Sequence, residues 1–117
     1  MHKNNIQRYG WVIGIKKEKL QEYKELHANV WPKVLAMIKD CNIANYSIYL
    51  GQLDDDNYYL FSYLEYIGND FKKDMEKMAA DEISQKWWAV CKPCQLPCKH
   101  RKDGEWWMTM DEVFHIE

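Results

Sequence analysis

Two stretches with the two-residue alternation of a half-buried strand, 43–50 and 58–66, flank a short segment, 51–57, that contains Asp54-Asp55-Asp56-Asn57. In the first stretch Tyr46, Ile48 and Leu50 share one face, while Asn45, Ser47 and Tyr49 share the other. A polar connection this short joins strands that run in opposite directions, so the middle of the chain is a β-hairpin. An antiparallel hairpin in the centre commits the rest of the chain either to extending that sheet or to covering it.

The flanking segments supply both. Residues 9–15, Tyr-Gly-Trp-Val-Ile-Gly-Ile, form a short apolar run bounded by polar residues and read as a first strand. Residues 18–39 then place Leu20, Tyr23, His27, Val30, Trp31, Val34, Leu35 and Ile38 at helical spacing. Pro32 lies inside that pattern, and its missing N–H and its ring predict a kink or break over residues 28–31. After the hairpin, Asn69 or Asp70 is placed to cap a second helix carrying Phe71, Met75, Met78 and Ala79. Asp81 is placed to cap a further one leading to Trp87-Trp88. Residues 91–104 are rich in Pro, Lys and Cys, include Lys99-His100-Arg101-Lys102, and read as a loop. Residues 106–116 alternate again and read as a closing strand.

The resulting order, β-α-β-β-α-β, is the ferredoxin-like α+β pattern: one domain spanning 1–117, with helices on one face of a four-stranded antiparallel sheet. The other sheet face needs cover, and a second copy is the expected source, which makes the chain a homodimer.

Composition removes several classes of function. A chain of 117 residues buries roughly two thirds of its unfolded surface, enough for a core without metal or disulfide. A net charge of −2 with interspersed signs gives no electrostatic footprint for nucleic acid or anionic membrane. The first residues form no apolar leader, and no run approaches the roughly 18 apolar residues of a membrane span, so a cytoplasmic protein is expected. Of the four cysteines, Cys91, Cys94 and Cys98 crowd together, but the one C-x2-C pair has no matching second pair. Reduced thiols, with no bound metal, are the expectation.

The chemically promising residues are aromatic and titratable. Tyr23, His27 and Trp31 fall at i, i+4 and i+8, one face of a helix. Six Trp and eight Tyr exceed the needs of a small core and suit sugar faces or subunit interfaces, because each ring offers apolar area with a polar tip. A lone histidine on an apolar face is more often a satisfied core residue than a catalyst. Trp31 divides evenly between core and pocket wall, and adjacent Trp87 and Trp88, about 100° apart around a helix, cannot form one flat wall. Glu112, on the strand face of Met108, Met110 and Phe114, either orients a hydroxyl or lies at an edge. His2, His100 and His115 have no comparable neighbours and read as surface residues.

The segments Gln21-Glu22-Tyr23-Lys24-Glu25-Leu26-His27-Ala28-Asn29-Val30-Trp31-Pro32, Asn45-Tyr46-Ser47-Ile48-Tyr49-Leu50, Trp87-Trp88 and Glu112-Val113-Phe114, in this order and spacing, resemble the L-rhamnose mutarotase family. The resemblance covers almost the whole chain. It implies a dimeric α+β barrel that interconverts the anomers of a 6-deoxyhexose without metal or cofactor, with His27 as catalytic acid and Tyr23, Tyr46, Trp87 and Trp88 contacting the sugar. The loop over 91–102 and the Glu105-Trp106-Trp107 that follows differ from the rhamnose enzymes, which opens L-fucose as a second substrate. Proton delivery to the ring oxygen by His27, with a phenol orienting a hydroxyl, is the chemistry expected. The alternatives are a cofactor-free monooxygenase on the same barrel fold and a non-catalytic sugar-binding module.

Overall fold

A computed structural model describes residues 6–117, so His2 lies outside the described residues. Its elements are strand β1 (Gln7–Ile15), helices α1 (Leu20–Ala28) and α2 (Pro32–Asp40), strands β2 (Ile43–Gln52) and β3 (Tyr58–Tyr66), helices α3 (Phe71–Ala79) and α4 (Glu82–Cys91), and short strands β4 (Gln95–Leu96) and β5 (Met108–Met110). The sheet is antiparallel in the order β2-β3-β1-β4, and β5 also pairs with β1. This is the ferredoxin-like α+β arrangement.

The register sorts every strand residue by face. Leu50, Leu60 and Ile13 form one cross-strand row, and Ile48, Ser62, Trp11 and Thr109 the next. These rows face the helices, and Leu60, Ser62, Leu64 and Tyr66 of β3 are all buried there. Alternation alone would turn Ile43 and Tyr46 to opposite faces. A β-bulge between Ala44 and Ser47, with Asn45 at φ 49°, inserts the extra residue that lets buried Ile43 and Tyr46 share the helix side.

Pro32 produces a break rather than a bend. Asn29 and Trp31 leave helical geometry, Trp31 is extended at φ −59°, ψ 132°, and Pro32 opens α2 at its first position, where a missing N–H costs nothing. Asp70 caps α3 by accepting from the Lys73 backbone N–H, and Asp81 caps α4 by accepting from Ser84.

Three expectations are corrected. Gly51 and Gln52 continue β2 instead of belonging to the turn. The presumed loop over 91–104 begins with the last residue of α4, passes through a 3₁₀ turn (Lys92–Cys94) and contains β4, which hydrogen-bonds β1 at Gly14 and Ile15. The closing strand over 106–116 shrinks to Met108–Met110, and residues 111–117 make no sheet pairing despite their alternation. Alternation records which faces differ, but pairing needs a free strand edge of matching length, and β1 offers only part of its edge to β5.

Candidate active site between the sheet and the helices

Helix α1 builds the centre of the site. Tyr23, one turn before His27, is 5% exposed and its ring stacks on the imidazole at 4.1 Å between centroids and 24° between planes. His27 Nδ1 lies 3.0 Å from the Tyr23 carbonyl oxygen. A carbonyl can only accept, so Nδ1 carries the proton and Nε2 of the neutral ring is left as a bare acceptor. Burial pushes the imidazole pKa below its ordinary value, against the smaller opposing effect of that hydrogen bond. The resting form is therefore the neutral base.

Helix α4 closes one side. Trp87 meets the His27 ring edge-on at 5.3 Å and Trp31 at 5.1 Å, so the break that frees Trp31 also turns it toward the cluster. Trp88, on the neighbouring helical face, packs between the two halves of the core. From the sheet, Tyr46 approaches the same space. It keeps 42% of its surface exposed, yet its hydroxyl pKa is pushed up to about 12 by desolvation, with a smaller contribution from Cys91. A ring reached from the crevice mouth with its hydroxyl end among protein atoms satisfies both. Burial likewise holds the Tyr23 phenol well above its usual pKa, with Cys91 and Tyr46 as electrostatic neighbours. Both phenols are hydrogen-bond donors at neutral pH, not bases.

Cys91 and Cys94 line this region in protonated form. Burial raises Cys91 to about 12; Cys94 is raised by burial and then by the Glu22 carboxylate, whose Oε2 accepts from its Sγ at 3.7 Å. All four cysteines are free. Among the described residues, no group of three or more His, Cys, Asp or Glu is placed to hold a metal ion.

One member of the site escaped the sequence reading. Gln95, buried in β4, donates from Nε2 to the Tyr23 hydroxyl at 3.1 Å and accepts from Trp106 Nε1 at 2.7 Å. A two-residue strand is too short to leave a periodicity, so no signal in the chain announced it.

Glu112 is not brought to this cluster. It holds Arg8 through paired bonds, Nε to Oε2 at 2.8 Å and Nη2 to Oε1 at 3.2 Å, and Arg8 projects from the sheet face opposite the helices. Among the other histidines, His100 and His115 are exposed. A depression of about 790 Å³, lined by Gly14, Tyr59, Leu96, Cys98 and Met108 among others, shares no residue with the His27 cluster.

Fold and site together define a ferredoxin-like α+β protein whose titratable centre is a neutral histidine enclosed by phenols and indoles between sheet and helices. The family model described as L-rhamnose mutarotase matches residues 8–116. The L-rhamnose mutarotase of Oceanobacillus iheyensis is 31% identical over 112 residues, covering 96% of this chain and 100% of that one. That of Listeria monocytogenes serotype 4b is 38% identical over 96 residues, covering 82% and 85%. The crystal structure of an L-rhamnose mutarotase from Formosa agariphila superposes with a TM-score of 0.70 at 25% identity, over 95% of this chain and 99% of that one. The chain belongs to the L-rhamnose mutarotase family.

Proposed function

We propose that this chain is an isomerase that interconverts the α and β anomers of a 6-deoxyhexose, with L-rhamnose the first substrate to consider and L-fucose the second, and that His27 is its proton-transfer residue. The observation that carries the reading is the neutral imidazole with a bare Nε2, held between Tyr23 and Trp87. Opening a pyranose removes a proton from the anomeric hydroxyl and adds one to the ring oxygen as the bond between that oxygen and the anomeric carbon breaks. A neutral His27 takes the first proton, its conjugate acid delivers that proton to the ring oxygen as the bond breaks, and both transfers run in reverse as the ring closes onto either face of the aldehyde. The acid duty implied by the family resemblance thus belongs to the imidazolium formed during turnover. Tyr23 and Tyr46, held protonated, orient sugar hydroxyls, and Trp87 and Trp88 offer apolar area to the sugar.

The subunit arrangement belongs to the same proposal. On the sheet face away from the helices, Tyr49, Phe61, Val12 and Met108 form a cross-strand row, with Leu96 and Met110 in the rows beside it. Tyr49 is 65% exposed. Two such faces packed together give a homodimeric barrel with the His27 crevices on its outside. Among the described residues no helix is long and apolar enough to cross a membrane, and four free thiols suit the reducing cytoplasm, where we place the protein. The family match favours neither the oxygenase nor the pure binding module.

The test is exchange spectroscopy by NMR on equilibrated L-rhamnose, which reads the rate of anomer interconversion directly. Added protein is expected to accelerate exchange in proportion to its concentration. Unaccelerated exchange for L-rhamnose, L-fucose and their stereoisomers would sink the reading.

A further inference from the structure

We infer that Gln95 is a positioning residue that directs the Tyr23 hydroxyl proton into the substrate crevice; this rests on the mutarotase reading for its consequence in rate, though not for its geometry. The argument runs through donors and acceptors. An indole N–H can only donate, so the Gln95 atom 2.7 Å from Trp106 Nε1 is the amide oxygen. The amide NH₂ is then the group 3.1 Å from the Tyr23 hydroxyl, and an NH₂ can only donate. The phenol oxygen therefore accepts from Gln95, and Gln95 offers nothing that could accept the phenol's own proton.

His27 does not take that proton either. It lies face to face with the Tyr23 ring, and its Nδ1 is engaged with the Tyr23 carbonyl. The other electrostatic neighbours of the phenol are Cys91, Tyr46 and Cys94, and of these Tyr46 stands on the sheet, so the proton is left to the space between helix and sheet. A donor fixed in direction before substrate arrives avoids reorganisation during the reaction, which is the main advantage a positioned polar group confers.

Each support of the arrangement is itself held. The Lys92 ammonium stands 5.3 Å from the centroid of the Trp106 ring. Gln95 is fixed by pairing opposite Ile15 on β1. Gln95 and Trp106 both come from the stretch between α4 and β5, so that stretch sets the proton of a residue on α1.

Gln95→Glu, Gln95→Met and Trp106→Phe distinguish direction from mere packing. A carboxylate at 95 still accepts from Trp106 but now also accepts the Tyr23 proton, withdrawing it from the crevice. Gln95→Met fills similar volume and leaves the proton free. Anomer exchange is expected to fall about tenfold or more in Gln95→Glu at neutral pH, the scale of one lost hydrogen bond, and to recover in part as pH falls and the carboxyl becomes protonated. Gln95→Met should lose less, and Trp106→Phe, which lets the amide flip, should lie between. A packing role predicts the opposite order and a pH-independent ratio to wild type, and that result would overturn the inference. The second readout needs no activity. The buried Tyr23 hydroxyl proton, assigned by its disappearance in Tyr23→Phe, should move strongly downfield in Gln95→Glu and little in Gln95→Met. An unmoved resonance in Gln95→Glu refutes the inference even if the protein acts on no sugar, whereas a moved one in an inactive wild type would fault only the mutarotase reading.

Discussion

His27 and Tyr23 are joined twice, ring on ring at 4.1 Å and Nδ1 to carbonyl at 3.0 Å. The first contact buries the imidazole and the second fixes its tautomer, and both follow from a spacing of one helical turn. Their joint effect on pH dependence has a definite sign. Because the folded pKa lies below 6.5, the neutral base survives to lower pH than an ordinary histidine would allow. Exchange should stay flat through pH 6.5 and fall only below it, as measured by the rate of L-rhamnose anomer exchange across a pH series. Stability follows the same linkage: between about pH 6.5 and the lowered native value the unfolded chain binds the extra proton, so stability drops as pH falls through that window. Comparing melting temperatures of wild type and His27→Gln across the same series isolates this contribution, and a melting difference that does not vary with pH would contradict it.

His27→Ala should remove most of the rate while the fold remains. General acid–base help is worth roughly 10²–10⁴-fold, and a loss in that range is expected in exchange spectroscopy. The side chain is half-buried and its neighbours Tyr23 and Trp87 stay packed in the core, so circular dichroism and gel filtration should match wild type. A variant with undiminished exchange would remove His27 from the mechanism.

Much of this was legible in the chain because the elements that carry the site are long enough to show a period. The i, i+4 pair Tyr23 and His27, the break at Pro32 and the two Asp caps at 70 and 81 all follow from local rules that the structure obeys. The contribution of Gln95 was not legible, because its position depends on a two-residue pairing with a strand 80 residues earlier in the chain (95 − 15). Glu112 stands apart from the His27 cluster for the complementary reason. Alternation placed it on a strand face, but a strand of three residues ends before it, and the long Arg8 side chain captures the carboxylate on the far side of the sheet. Tyr46 shares the helix-side face of Ile48 and Leu50 by plain alternation, whereas Ile43 joins that face only through the bulge at Asn45.

Gly14 should prove necessary for activity without touching the site. A Cβ added there would meet the Leu96 carbonyl oxygen at 2.8 Å and Leu96 Cβ at 3.2 Å, and backbone cannot yield as a side-chain tip can. Gly14→Ala therefore pushes β4 away from β1 and carries Gln95 out of reach of Tyr23. Lower exchange together with a shifted Trp106 indole resonance is the expected pair of results. A rate equal to wild type would mean that β4 can move without consequence.

Ser62→Ala should leave the protein at least as stable. Ser62 is 4% exposed on the helix side of β3, and its hydroxyl makes no hydrogen bond to any group among the described residues. Burying an unpaired hydroxyl costs about 1–3 kcal/mol, so deleting it in a volume that alanine nearly fills should hold or raise the melting temperature. A clear drop in thermal denaturation would show that the hydroxyl has a partner worth keeping.

The face away from the helices gives the last prediction. Phe61 sits in the middle of the row that runs from Tyr49 through Val12 to Met108, so it would lie near the centre of an interface between two sheets. Phe61→Asp leaves the helix-side core untouched, because Leu60 and Ser62 on either side point the other way. In a lone subunit the aspartate meets water and costs little. Between two sheets it is desolvated together with its symmetry mate, and burying two unpaired like charges costs several kcal/mol. Light scattering should find the wild type at twice the 14.2 kDa of one chain and Phe61→Asp at the mass of one. The His27 crevice opens on the opposite side of the sheet, so the variant should retain sugar binding even where the pair has come apart; a wild type that scatters as a single chain would refute the barrel.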